Sequence, residues 1–203
     1  MPAAIDFYFD YSSPYGYFAA MKIDELAAAH GRDVNWKPIL LGAVFKVTGG
    51  QPLPTLPLKG VYALRDIARS ARFHNIPYQH PSKFPIASQA PSRAFYWATE
   101  RDPLLAKKLA RTLYQAYFVQ NLDISSPDVT ADVATTLGLK RDDVLAALND
   151  AAVKDRLKNE VEAAIKLGVF GSPYIVIDGE PFWGVDRLPM LEYWLEHGRW
   201  NSV

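Results

Sequence analysis

Two short stretches of this chain carry side chains whose type and place could do chemistry: Ser12-Ser13-Pro14-Tyr15-Gly16 and Gly171-Ser172-Pro173. A serine just ahead of a proline suits a helix start, where the hydroxyl accepts from an orphan backbone N–H and the proline occupies the first turn. On spacing alone, then, Ser12 or Ser13 is a helix cap, and Gly-Ser-Pro is an ordinary turn. Lys59 and Asp186 stand at two further helix starts. An isolated lysine there is usually just solvated, and an aspartate is as readily a cap as a ligand. What the chain lacks narrows the chemistry more sharply. It has no cysteine, which removes disulfides, thiolate metal sites and any thiol nucleophile supplied by the protein itself. The histidines, His30, His74, His80 and His197, show no metal-ligand spacing, so no metal site is expected. Gly168 to Gly171 does not follow a strand and open a helix, as a dinucleotide-binding loop must.

The bulk composition is that of a soluble folded protein. Across 203 residues, 22 Lys+Arg balance 22 Asp+Glu, which argues against a dedicated nucleic-acid or anionic-membrane binder. A chain of this length buries roughly 70% of its unfolded surface and needs no disulfide or metal to hold a core. The N-terminus lacks the basic-then-apolar pattern of a secretory signal, and no apolar run approaches the ~18 residues of a membrane span. A soluble, cytoplasmic protein is expected.

The elements that must position these residues follow from periodicity. Ile5, Phe7 and Phe9 alternate with polar or amphipathic neighbours and predict a strand. A helix should follow from about Pro14 to Ala29, with Gly31 as its C-terminal cap, and then a second strand over Val34–Leu40. Gly49 to Lys59 is proline-rich and predicts a loop without regular structure, a lid or an ordinary connection. Helices are expected over Lys59–His74, Ser88–Arg101, Pro103–Asn121, Pro127–Leu137, Lys140–Ala151 and Asp155–Leu167. Phe95, Tyr96, Trp97, Tyr114, Tyr117 and Phe118 lie on them and are core by default. Tyr174–Ile177 and Glu180–Trp183 flank Asp178-Gly179, a strong hairpin signal, and a last helix should run from about Asp186 to His197. Without its helical block this order is βαβ-αββα, that of a thioredoxin-like domain. The expected fold class is α/β: a thioredoxin-like domain from residues 1–42 and 153–203, with an inserted all-helical domain over residues 43–152.

Within that order the sequence resembles a known family. The run Asp6-Phe7-Tyr8-Phe9-Asp10-Tyr11-Ser12-Ser13-Pro14-Tyr15-Gly16-Tyr17 is similar to the start of 2-hydroxychromene-2-carboxylate isomerases and kappa-class glutathione transferases, in the DsbA-like branch of the thioredoxin superfamily. Pro57-Leu58-Lys59-Gly60, Val169-Phe170-Gly171-Ser172-Pro173 and Phe182-Trp183-Gly184-Val185-Asp186-Arg187-Leu188 match as well, so the resemblance covers essentially the whole chain. It implies that Ser13, flanked by Pro14 and Tyr15, stands where disulfide oxidoreductases carry their nucleophilic cysteine. The thiol would then come from glutathione, with the Ser13 hydroxyl donating to its thiolate and the helix dipole lowering its pKa. Ser172, ahead of a cis Pro173, would offer its backbone to the cysteinyl moiety. Val185 and Asp186 would hold the γ-glutamyl group, and Lys59 the glycyl carboxylate. In one departure, Gly50 falls where kappa-class enzymes carry an asparagine, leaving backbone alone for that contact unless Gln51 substitutes.

The activity implied is glutathione-dependent isomerisation of 2-hydroxychromene-2-carboxylate, a small aromatic carboxylate, to trans-o-hydroxybenzylidenepyruvate by reversible thiolate addition. Two alternatives share the fold: a kappa-like glutathione S-transferase conjugating electrophiles, and a thioredoxin-like binding protein without catalysis. The resemblance also implies a homodimer.

Overall fold

The computed structural model describes residues 3–201. Strand β1 (Ile5–Phe9) is central, and Ile5, Phe7 and Phe9 are fully buried. It pairs in parallel with β2 (Val34–Pro38), Phe7 opposite Trp36, and antiparallel with β3 (Tyr174–Ile177), Phe7 opposite Ile175. Strand β4 (Glu180–Trp183) closes the sheet in the order β2-β1-β3-β4. The β3–β4 hairpin turns on Asp178 (φ 52°) and Gly179 (φ 86°), the pair of positive φ angles that matches the twist of the flanking strands.

The single helix expected after β1 is two. Helix α1 spans Pro14–Ala20 and α2 spans Ile23–Ala29. No proline breaks them. Arg111 inserts there instead, donating from Nε to the Ala20 carbonyl (3.3 Å) while its guanidinium pairs with Asp24. A side chain entering the backbone ladder is one of the few physical causes of a sharp kink.

Helix α3 (Leu41–Thr48) was not expected from the sequence. Its cap, Leu40, has no capping side chain. The Leu41 N–H is taken instead by the Asp10 carboxylate at 2.6 Å, from 31 positions away. The proline-rich loop does contain regular structure, a single 3-10 turn over Leu53–Thr55. The helical block continues as α4 (Lys59–Phe73), α5 (Gln89–Thr99), α6 (Pro103–Phe118), α7 (Pro127–Thr135) and α8 (Arg141–Asn149). Helix α9 (Ala151–Lys166) starts earlier than expected because Asp150 caps it, accepting from the Ala152 and Val153 N–H groups. After the hairpin a 3-10 turn (Val185–Arg187) leads into α10 (Leu188–His197).

Sheet and helical block share one core. The Phe9 ring lies 5.8 Å from both Phe95 of α5 and Tyr114 of α6, and Tyr17 stacks on Phe118 at 5.4 Å. The aromatics of α5 and α6 are buried, so their default role holds. The architecture is thioredoxin-like α/β with a helical insertion between β2 and β3. Among the described residues no helix is long and apolar enough to cross a membrane.

Candidate active site

Of the two candidate caps, Ser13 is the one used. It is the N-cap of α1, and its Oγ accepts from the Gly16 N–H at 3.0 Å. The same hydroxyl donates to the Ser172 carbonyl at 2.8 Å across 159 positions of sequence. The Ser172–Pro173 peptide bond is cis. Ser13 is 6% exposed and Ser172 9%, so the two motifs form one buried contact. Ser12 points elsewhere, donating to Asp10 from both its N–H and its hydroxyl at 2.7 Å. Gly16 makes this packing possible: a Cβ there would lie 2.6 Å from Ser172 Oγ and 2.9 Å from Tyr114 Oη.

Asp10 organises the floor of the site, and sequence reasoning missed it. Its carboxylate accepts from the Ser12 N–H and hydroxyl, the Leu41 N–H, and the Ser88 hydroxyl at 3.0 Å. Its own N–H donates to Ser172 Oγ at 2.9 Å, and its carbonyl accepts from the Tyr114 hydroxyl at 2.9 Å. Full burial pushes the carboxyl pKa up, against those donors, which pull it down. The Asp10–Ser12 pair is an Asx turn that the sequence could have signalled. Ser88 and Tyr114 gave no local sign, because their partners lie 78 and 104 positions away.

The remaining residues are arranged around α1, which packs against both α4 and the Val185–Arg187 turn. Tyr15 donates to Asp66 of α4 at 2.6 Å. Lys59 is the first residue of α4, exposed, and follows Leu58, whose positive φ (64°) turns the chain into the helix. Gly184 donates to the Pro173 carbonyl at 3.1 Å, tying the turn that carries Val185 and Asp186 to the cis-proline. Val185 is buried. Asp186 is exposed and pairs with Arg187 at 3.1 Å. It does not cap α10, since the capping residue is Arg187 and no side-chain bond is made there. Gly50 is exposed beyond the end of α3, and a Cβ there would lie 2.8 Å from the Phe45 ring. A side chain at this position therefore requires the Phe45 ring to shift.

The arrangement is a hydroxyl at the start of a helix, held against a cis-proline loop. The chain belongs to the DSBA-like thioredoxin domain family, whose model matches residues 4–196. It is 29% identical over 200 residues to glutathione S-transferase kappa 2 of Caenorhabditis elegans, covering 92% of this chain and 89% of that protein. It is also 29% identical over 191 residues to a 2-hydroxychromene-2-carboxylate isomerase of Pseudomonas putida, covering 93% and 92%. The solved structure of a selenomethionine 2-hydroxychromene-2-carboxylate isomerase superposes with a TM-score of 0.86 at 28% identity, covering 95% of this chain and 94% of that one.

Proposed function

We propose that this protein is an enzyme, a glutathione-dependent isomerase of 2-hydroxychromene-2-carboxylate or a closely related small aromatic carboxylate. The observation that carries the reading is the Ser13 hydroxyl, 2.8 Å from the Ser172 carbonyl beside a cis-proline, in a chain with no cysteine. The donor set suits glutathione: a hydroxyl for its sulfur, a lysine for a carboxylate, an aspartate for an ammonium. Bound glutathione would supply the thiol that adds reversibly to the conjugated substrate and leaves after bond rotation, so that none is consumed. Ser13 turns its proton from the Ser172 carbonyl to the sulfur, holding it as thiolate. That movement frees the Ser172 carbonyl for a backbone bond to the cysteinyl residue. Lys59 binds the glycyl carboxylate, while the Val185 backbone and Asp186 hold the γ-glutamyl end. Gly50 contributes backbone only.

Ser13→Ala removes a hydrogen bond to a charged group, worth about 1.5–3 kcal/mol. At about 1.36 kcal/mol per unit, the bound thiol's pKa should rise by roughly one to two units, and turnover should fall. Ultraviolet thiolate titration and a chromene isomerisation assay measure the two effects. Full isomerase activity without glutathione refutes the mechanism.

Equal identity to a kappa transferase and to an isomerase supports a second reading, permanent conjugation of electrophiles at the same site. Assaying a chloronitroaromatic beside the chromene separates the two. A calorimetric titration without glutathione binding would favour a non-catalytic protein. We also propose a homodimer; sedimentation at twice the 22.7 kDa chain mass is the expected result.

A further inference from the structure

We propose that the Tyr114 hydroxyl is a positioning group for Ser13, holding the turn that aims the Ser13 hydroxyl at the sulfur. This rests on the thiol reading above and adds which side chain of the helical block sets the geometry of that site.

The turn is Asp10-Tyr11-Ser12-Ser13, between the end of β1 and the start of α1. The Ser13 N–H closes it, donating to the Asp10 carbonyl at 2.9 Å. The same carbonyl accepts from the Tyr114 hydroxyl at 2.9 Å. A carbonyl oxygen has two lone pairs, and here both are taken. One bond belongs to the turn itself. The other arrives from α6, 104 positions away, and ties the turn to the helical block.

Tyr114 Oη also lies against the first turn of α1. A Cβ on Gly16 would be 2.6 Å from Ser172 Oγ, 2.9 Å from Tyr114 Oη and 3.2 Å from Ser13 Cβ. The three side chains therefore meet around one point. Beside it run the two bonds of Ser13 Oγ, from the Gly16 N–H and to the Ser172 carbonyl.

The ring of Tyr114 belongs to the core, fully buried, 5.0 Å from Tyr11 and 5.5 Å from Tyr17. A buried phenol usually finds a partner, and packing alone does not dictate which. Tyr117, three positions further along α6, donates to the Lys83 carbonyl at 2.8 Å, in the loop between α4 and α5. Tyr114 instead donates to the carbonyl that closes the turn carrying Ser13. Burial, with Asp10 and Tyr11 adding to it, pushes the Tyr114 pKa well above the ordinary tyrosine value. The hydroxyl therefore remains a donor throughout the range in which a thiol titrates. Without it the Asp10 carbonyl is held only by the turn it closes. Small shifts there matter, since a misplacement of about 1 Å at a reacting centre can cost about a hundredfold in rate.

The test uses the full chain with Tyr114→Phe, which removes the hydroxyl and keeps the ring. Tyr117→Phe removes a bond of the same type from the same helix and is the structural control. Four quantities are measured: thermal stability, calorimetric glutathione affinity, the pKa of the bound thiol by ultraviolet titration, and chromene turnover. Both variants should lose stability by similar amounts. Tyr114→Phe should raise the bound thiol's pKa by about half a unit and lower turnover about threefold, the same change expressed as a ratio. Its glutathione affinity should stay within twofold at a pH below that titration, where the thiol is protonated. Tyr117→Phe should keep the native thiol pKa and turnover. Combined with Ser13→Ala, Tyr114→Phe should add nothing to the thiol pKa of Ser13→Ala alone, because no hydroxyl remains to be aimed. A native thiol pKa in Tyr114→Phe overturns the inference. So does an equal shift in Tyr117→Phe, or a shift that adds in full to that of Ser13→Ala. A native protein that takes up no glutathione removes the thiol reading and this inference with it, whereas bound glutathione with an unmoved pKa in Tyr114→Phe removes the inference alone.

Discussion

Ser13 answers to two demands at once, closing α1 through Gly16 and reaching the cis-proline loop through Ser172. Its environment is built by Asp10, which receives a backbone N–H on each carboxylate oxygen, Ser12 on Oδ1 and Leu41 on Oδ2. Asp10→Asn replaces one of those oxygens with an amide that cannot accept, leaving a buried donor unpaired at a cost of about 1–3 kcal/mol. The pH dependence has a definite sign. Burial raises the Asp10 pKa, so between the ordinary aspartate value and the raised one the folded state holds more protons than the unfolded. The contribution is complete below the ordinary value and is lost as pH rises through the raised one. Asp10→Asn lacks that loss, so the stability gap between the two proteins should narrow from acid toward neutral pH. Urea unfolding of both proteins across that range measures the gap, and a gap that widens with pH contradicts the assignment.

At the scale of elements, α1 is the hub: α4 and the Val185–Arg187 turn both pack on it, and the Tyr15–Asp66 bond holds α4 in place. Asp66 lies seven positions beyond Lys59 on the same helix, about two turns away. Asp66→Asn weakens that partly buried hydrogen bond and removes an exposed ion pair with Arg69 at 3.5 Å, so stability should fall by only about 0.5–1.5 kcal/mol. If Lys59 holds the glycyl carboxylate, glutathione affinity should drop several-fold in the same variant while turnover at saturation is preserved. Calorimetry beside steady-state kinetics resolves that split; unchanged affinity would make the bond purely structural.

Across the whole molecule, the sheet and the helical block are fastened through rings. Phe9 touches Trp36 in the sheet, Phe95 on α5 and Tyr114 on α6. Phe9→Ala should therefore cost about 3–5 kcal/mol, felt by both parts together. Near-ultraviolet and far-ultraviolet circular dichroism should show one coincident, lower transition. Separate transitions would mean that the block folds on its own.

Local signals alone determined the strands, the Asp178-Gly179 hairpin, most helices of the block and the serine-proline motifs at Ser13 and Ser172. Each depends on side-chain alternation, a capping residue or a turn dipeptide within a few positions. Composition alone likewise determined that this chain offers no thiol of its own, since it has no cysteine. Three features were out of reach. Helix α3 is capped by Asp10 from 31 positions away, the α1–α2 break is made by Arg111 from α6, 91 positions on, and the Ser88 and Tyr114 contacts span 78 and 104 positions. Spacing could propose Ser13 as a cap and Ser172 as a turn residue. Their meeting at 2.8 Å was decided by the tertiary structure, because a bond across 159 positions exists only once the shared core has brought β1 and β3 side by side.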